Sequence, residues 1–211
     1  MITPVDTAWE GHNLQKVMAR NTAANAVCGG TCYSFAMAKK RNPLDRFARD
    51  LPPGTLEWIG VRSARKADMT VLPCVMAVAE RGLEGDHRID KTPGSGRQVT
   101  IISVEFIAQI AHFTGRQDIH PGLLRRNLVV SGINLNALRH QRFSIGDALF
   151  ESTALCHPCS RMETALGKGG VAAMLGYGGL CARIIRSGEI ELGDSVEVQG
   201  RNLDLFEEIA E

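Results

Sequence analysis

The stretch that decides the fold is Ala182-Arg183-Ile184-Ile185-Arg186, Ser187-Gly188, Glu189-Ile190-Glu191-Leu192, Gly193-Asp194, Ser195-Val196-Glu197-Val198. Three short apolar or alternating runs are separated by two turns built on glycine. Period-2 alternation places every second side chain on one face, and Ser-Gly and Gly-Asp supply the tight reversals between them, so the segment predicts consecutive antiparallel strands. Working backwards, Arg142 to Ile145 and Ala148 to Thr153 flank a second such turn, Gly146-Asp147, and Leu128-Val129-Val130 is another strand. Gln98 to Ile102, Val71 to Ala79 (interrupted by Pro73) and Leu56 to Arg62 complete the set. A helix is predicted over Val104 to Phe113, with Ser103 as its cap, apolar residues at Val104, Ile107, Ala108 and Ala111, and Gly115 closing it. Many short strands with glycine turns and a few helices predict a mainly β, α+β architecture: a barrel or sandwich with helical decorations.

Composition agrees with an ordinary globular chain. The 211 residues (22.9 kDa) are 44% apolar and 22% charged, which excludes a disordered polyelectrolyte, and 22 glycines suit a turn-rich β domain. Twenty-four basic against 23 acidic residues leave a net charge of +1, which argues against a nucleic-acid partner. Thr22 to Ala38 is the longest weakly apolar stretch, but it carries Asn25, Gly29, Gly30, Thr31 and Ser34 and is too short for a membrane span. Asp6, Glu10 and His12 stand where a secretory signal would place a basic start and an apolar run, and six cysteines without such a signal read as reduced thiols. The expected location is cytoplasmic. Pro52-Pro53-Gly54 divides an N-terminal extension, 1–54, from a main domain over 55–200, and 201–211 forms an acidic tail with Leu203, Leu205 and Phe206.

The local feature with most chemistry is Leu155-Cys156-His157-Pro158-Cys159-Ser160-Arg161-Met162-Glu163. Ser160-x-x-Glu163 has the form of a capping box, predicting a helix that begins just after Cys159 and stops at Gly167. A thiol at a helix N-terminus with Arg161 one turn away is drawn towards thiolate, the form that attacks sulfur or binds metal. Three other readings stand beside it: a Cys-x-x-Cys oxidoreductase, a zinc site joining Cys156 and Cys159 to Cys28 and Cys32, and thiols that are small buried hydrophobes. The last is the preferred reading for Cys28, Cys32, Cys74 and Cys181.

The ordered set Gly82 to Arg88, Arg125 to Ile133, Ile145 to Ala148, Cys156 to Arg161 and Gly188 to Val198 resembles the MOSC family, the C-terminal domain of molybdenum-cofactor sulfurases. No single motif is specific; their order, from about Thr55 to Val198, is. The resemblance implies a β-barrel that handles sulfur or the molybdenum cofactor. It also implies that Cys159, preceded by Pro158, either carries a persulfide or ligates molybdenum, with Cys156 as a neighbouring or resolving thiol. The amidoxime-reducing branch follows its cysteine with Thr-Thr-Val-Asp-Pro-Asp-Thr-Gly, where this chain has Ser-Arg-Met-Glu-Thr-Ala-Leu-Gly, so the chain is closer to the short, stand-alone type.

A pterin dithiolene ending in phosphate needs a basic clamp and backbone donors. Arg125, Arg126 and Asn127 are candidates, followed by a turn at Ser131 and Gly132; Asp86, His87 and Arg88 form a second candidate loop. The alternatives are a solvated arginine face and an Asp86 that only closes its own turn. Gly167 to Gly170 and Gly176 to Gly179 flank a short apolar helix, Val171 to Leu175, as a lid, a phosphate cradle or simple caps; a P-loop is excluded. His112, His120 and His140 have no metal-ligand spacing. The leading expectation is sulfur transfer, with a pyridoxal-phosphate cysteine desulfurase handing sulfane sulfur to Cys159 for delivery to a molybdoenzyme or other metal centre, and with Arg161 holding the anion. Pyridoxal phosphate then belongs to the partner. The alternatives are a molybdenum-cofactor reductase of N-hydroxylated substrates, with Cys159 on the metal, and a zinc-stabilised binding module.

Overall fold

The computed structural model describes residues 45–48 and 50–199. After a short helix α1 (Asp45–Ala48), the strands are β1 (Gly54–Val61), β2 (Thr70–Leu72), β3 (Cys74–Val78), β4 (Gly82–Leu83) and β5 (Val99–Ser103). They continue as β6 (Leu128–Ser131), β7 (Arg142–Ile145), β8 (Ala148–Leu155), β9 (Leu180–Arg186), β10 (Gly188–Glu191) and β11 (Ser195–Gln199). Helices α2 (Val104–Thr114) and α3 (Pro121–Leu124) fall between β5 and β6, and α4 (Ser160–Leu166) and α5 (Gly170–Ala173) between β8 and β9.

Seven strands close into a barrel in the order β11-β7-β8-β9-β5-β6-β1, and β1 returns to β11 through Gly54↔Val196 and Thr55↔Ser195. The sequence left barrel and sandwich open; closure decides for the barrel. Strand β1 serves three neighbours: β6 pairs with it on both sides of a bulge between Leu56 and Trp58, while its other partner is β11 at Gly54 and Thr55 before the bulge and β2 from Ile59 to Val61 after it. The β5–β6 pair is parallel and the others are antiparallel, so β5 needs a crossover, and α2 and α3 supply it. Pro73 breaks the predicted Val71 to Ala79 strand into β2 and β3, and β3 leaves to join β10 and β4 in a separate three-stranded sheet.

Alternation fills the barrel with Leu56, Ile59, Ile101, Leu128, Phe143, Phe150, Ile184 and Val196. Phe143 and Phe150 stack at 5.6 Å between centroids. Strand β5 is buried at every position because both its faces are covered: Ile101 points into the barrel, while Ile102 joins a second core with Ile110, Leu124, Val129, Met162 and Met174 under the helices. The predicted caps of α2 are present, with Ser103 Oγ accepting from Phe106 N at 3.2 Å and Gly115 at φ 65°.

Several expectations need correction. The three strands predicted as consecutive antiparallel neighbours over Ala182 to Val198 are present as β9, β10 and β11 but do not pair with one another: β9 lies between β8 and β5, β10 joins β3 in the second sheet, and β11 joins β7 and β1. The predicted helix over Val171 to Leu175 is the shorter α5. Helix α4 has the predicted bounds, but Ser160 is its first helical residue; Cys159 is the cap residue and makes no side-chain capping bond. Glu163 does not reach back to close a box. Its carboxylate accepts from Gly169 N at 2.6 Å and Val171 N at 2.9 Å, capping α5 instead. Cys74, expected inside, is exposed, because β3 departs to a sheet that leaves this end uncovered. Cys28, Cys32, Thr22 to Ala38 and the acidic tail lie outside the described residues. No helix among those described is long and apolar enough to cross a membrane.

Candidate functional site

The site is built where β1 ends, β6 begins and the loop after β4 folds back. Asp86 anchors that loop. Only 1% exposed, its carboxylate accepts from Arg62 N (3.2 Å), Arg88 N (2.9 Å) and Asn127 Nδ2 (2.9 Å), and His87 Nδ1 lies 3.1 Å away. Asn127 is equally buried: Oδ1 accepts from Thr100 N and Oγ1, and Nδ2 also donates to Gly60 O at 3.1 Å. Both residues therefore face protein. They were candidates for touching a ligand, and the structure places them behind the site, where they tie the loop to the barrel wall. Asp86 does close its own turn through Arg88 N, as the alternative reading held.

The arginines around this anchor fall into two roles. Arg126 is buried and donates from Nε to Gly178 O (2.8 Å), from Nη1 to Leu124 O (2.9 Å) and from Nη2 to Cys156 O (3.3 Å). It pins the turn before β9 to the end of β8. Gly178 is required there, since a Cβ would lie 2.1 Å from Cys156 O. Arg62, Arg88, Arg125 and Arg161 form the other group. Burial, then the charge of Arg125, lowers the pKa of Arg62, with Arg88 and Arg161 acting in the same direction and Asp86 opposing. Burial, then Arg97, does the same to Arg88. Within this group Arg62 Nε, Arg88 Nε and Arg125 Nη2 are buried and have no hydrogen-bond partner among the described residues. Buried guanidinium donors without acceptors, held against each other's repulsion, suit an oxyanion.

Beside this face lies a cavity of about 480 Å³, with Asp68, Met69, His120, Arg125, Arg161 and Met162 among its lining residues. His120 caps α3, accepting from Gly122 N at Nδ1 (3.2 Å), and packs edge-on against Trp58. Arg125 takes a left-handed backbone (φ 58°) at the other end of α3, which turns the chain from the crossover into β6.

Cys159 is exposed at the start of α4, two residues before Arg161. Cys156 is buried, its Sγ 3.5 Å from Arg97 Nη2. A hydrogen bond from Cys181 pulls its thiol down to about 6 against the cost of burial, and Arg126, Arg97 and Arg88 pull the same way. Sequence reasoning directed cations at Cys159; in the fold, cations converge on Cys156. Ser131 and Gly132 stand apart, at the other end of β6 opposite Thr55 and Gly54. Ser131 Oγ donates to Glu57, and Gly132 N donates to Glu105 at 2.8 Å. Acidic partners at the far end of the barrel do not suit an anion. Sequence reasoning missed Arg62, Arg97 and the pairing of Cys181 with Cys156. Arg62 is visible as the charged end of an apolar strand, but no spacing relates it to Arg88 or Arg125.

The family model described as MOSC domain matches residues 88–197, more than half of the chain. No curated protein matches at the sequence level. Among solved structures, the fold is similar to the YuaD protein from Bacillus subtilis (TM-score 0.62, 21% identity, covering 72% of this chain and 98% of that one). It is also similar to YiiM from Geobacillus stearothermophilus (0.58, 18%, 72% and 78%) and YiiM from Escherichia coli (0.54, 20%, 71% and 72%). These likenesses extend to the fold. With a closed barrel, the ordered motifs on its walls and a family model spanning most of that barrel, the chain belongs to the MOSC domain family.

Proposed function

We propose that this protein binds a molybdenum cofactor on its arginine face and offers Cys159 to the metal. The observation that carries the reading is the set of three buried, unpartnered donors, Arg62 Nε, Arg88 Nε and Arg125 Nη2. The residues fit the group. A terminal phosphate accepts from several guanidinium donors at once, and charge-assisted bonds offset the desolvation that keeps Arg62 and Arg88 below their ordinary pKa. When bound, the cofactor supplies a redox-active metal suited to two-electron reduction of N-hydroxylated substrates. The chain's own part is to hold and orient. Asp86 and Asn127 lock the backbones from which Arg62 and Arg88 project, Arg125 and Arg161 line the adjoining cavity, and the exposed Cys159 stands at the start of α4.

Exposure of Cys159 also supports a second reading, persulfide carriage. Its thiolate would attack the outer sulfur of a desulfurase persulfide. A new S–S bond forms on Cys159, the donor's S–S bond breaks, and the donor cysteine leaves as thiolate. A pyridoxal-phosphate enzyme is the partner in that case.

The test is metal and pterin content of protein purified, without chelator, from a host that makes the cofactor. Molybdenum and pterin near one per chain are expected. Arg125→Ala lowers retention of both, by about tenfold in affinity for roughly 1.4 kcal/mol of lost phosphate contact. Cys159→Ala loses molybdenum before pterin. Wild-type protein free of both, yet gaining one sulfur on incubation with a desulfurase and losing that gain in Cys159→Ser, would replace the first reading with the second.

A further inference from the structure

Neither reading uses the other two thiols of this region, Cys156 and Cys181. We propose that they form a reversible dithiol–disulfide couple, a modification site separate from Cys159 and oxidised by small hydroperoxides. The inference does not rest on cofactor binding.

Strand register brings the two together. Cys181 on β9 is paired with Ala154 on β8, and Leu180 with Leu155, while Cys156 N continues the ladder by donating to Gly179 O at 2.8 Å. Alternation then puts Ala154, Cys156 and Cys181 on one face of the wall, with the two thiols as diagonal cross-strand neighbours. Both are buried there. Each thiol is the largest influence on the other's ionisation, Cys181 lowering the pKa of Cys156 and Cys156 raising that of Cys181, as close neighbours do. Cys156 lies just past the end of β8, where the chain is no longer held in the strand ladder on both sides, and the Gly178-Gly179 segment facing it carries no side chains.

The surroundings select the direction of reaction. Arg97 Nη2 lies 3.5 Å from Cys156 Sγ, and Arg126 and Arg88 add positive charge, so Cys156 is the nucleophile and Cys181, whose thiol is pushed up by donating to it, is the resolving thiol. A crevice of about 10 Å³ bounded by Cys156, His157, Pro158, Gly176 and Gly178 reaches Cys156. It admits something close to the size of water, as a peroxide is, and excludes a bulky disulfide. The Cys156 thiolate attacks one peroxide oxygen, the O–O bond breaks, and hydroxide leaves, giving the sulfenic acid. The Cys181 sulfur then attacks the Cys156 sulfur. The S–S bond forms, the S–O bond breaks, and the departing oxygen leaves as water with the Cys181 proton. Two thiols lose two electrons and the peroxide gains them. The result removes a negative charge from among Arg88, Arg97 and Arg126.

The experiment treats the full chain with dilute hydrogen peroxide, blocks free thiols by alkylation after denaturation, and maps linked peptides by tandem mass spectrometry. A bridge between the segment carrying Cys156 and the segment carrying Cys181 is expected in wild type and retained in Cys159→Ser. It should disappear with dithiothreitol. In Cys181→Ser, Cys156 should proceed to sulfinic acid. A bulky aromatic disulfide reagent added to the folded chain should leave both thiols unmodified. The proposal is overturned if both thiols of Cys159→Ser remain alkylatable after peroxide, if Cys156 bridges to another cysteine, or if wild-type Cys156 over-oxidises without a bridge.

Discussion

Asn127 shows how much one side chain can organise here. Four hydrogen-bonding neighbours from β1, β5 and the Asp86 loop converge on its amide, all of them out of solvent. Asn127→Ala leaves several buried polar groups without partners and should cost about 3 kcal/mol, read as a lowered midpoint in urea. In the sequence Asn127 is indistinguishable from a ligand-binding residue beside two arginines; burial alone separates the roles. Cys156 gives a second expectation. Folded, its thiol ionises at about 6. Unfolded, it returns to the ordinary thiol range, about 8.5. Between those values the unfolded chain binds more protons, so stability rises with pH: the thiolate's contribution is complete above about 8.5 and is lost as pH falls through about 6. Cys181 acts in the opposite sense, because the folded chain keeps its proton above about 8.5 while the unfolded chain releases it. The difference in unfolding free energy between wild type and Cys156→Ser, measured by urea titration across this range, should therefore peak near pH 8.5. A flat difference would show that Cys156 is a neutral thiol.

At the scale of elements, α4 and α5 behave as one unit because Glu163 on the first caps the second. Glu163→Ala leaves Gly169 N and Val171 N without their acceptor; about 1 kcal/mol of stability should go with it, and hydrogen exchange at those two amides should quicken. The bounds of α4 are legible in the sequence, since the glycine after Leu166 stops it. The destination of Glu163 is not, because the Gly167 to Gly170 turn decides which amides come within reach. Pro73 is similar. A missing donor says that a strand must break there, but not that its second half will pair with β10 in another sheet.

For the molecule as a whole, closure between β1 and β11 is the decisive contact. Val196, fully buried, faces the barrel core at the seam. Val196→Asp puts a charge there and should cost at least about 3 kcal/mol, seen as a lower thermal midpoint. A charge-preserving change at its exposed neighbour, Glu197→Asp, should be close to neutral. The strand order assembles the rim: Arg62 follows β1, Arg125 and Arg126 precede β6, and Cys156 follows β8, so three distant stretches of chain meet on the wall where β8, β9, β5, β6 and β1 lie side by side.

Alternation, glycine turns and the order of short motifs were enough, from the sequence alone, to establish a mainly β domain of this family and the ends of its best helices, because those signals are local and repeat with the period of the backbone. Which arginines lack partners, which cysteine is drawn to thiolate and which polar residues face inward depended on the tertiary structure. Burial and charge act through space between residues far apart along the chain, and no spacing in the sequence encodes that distance.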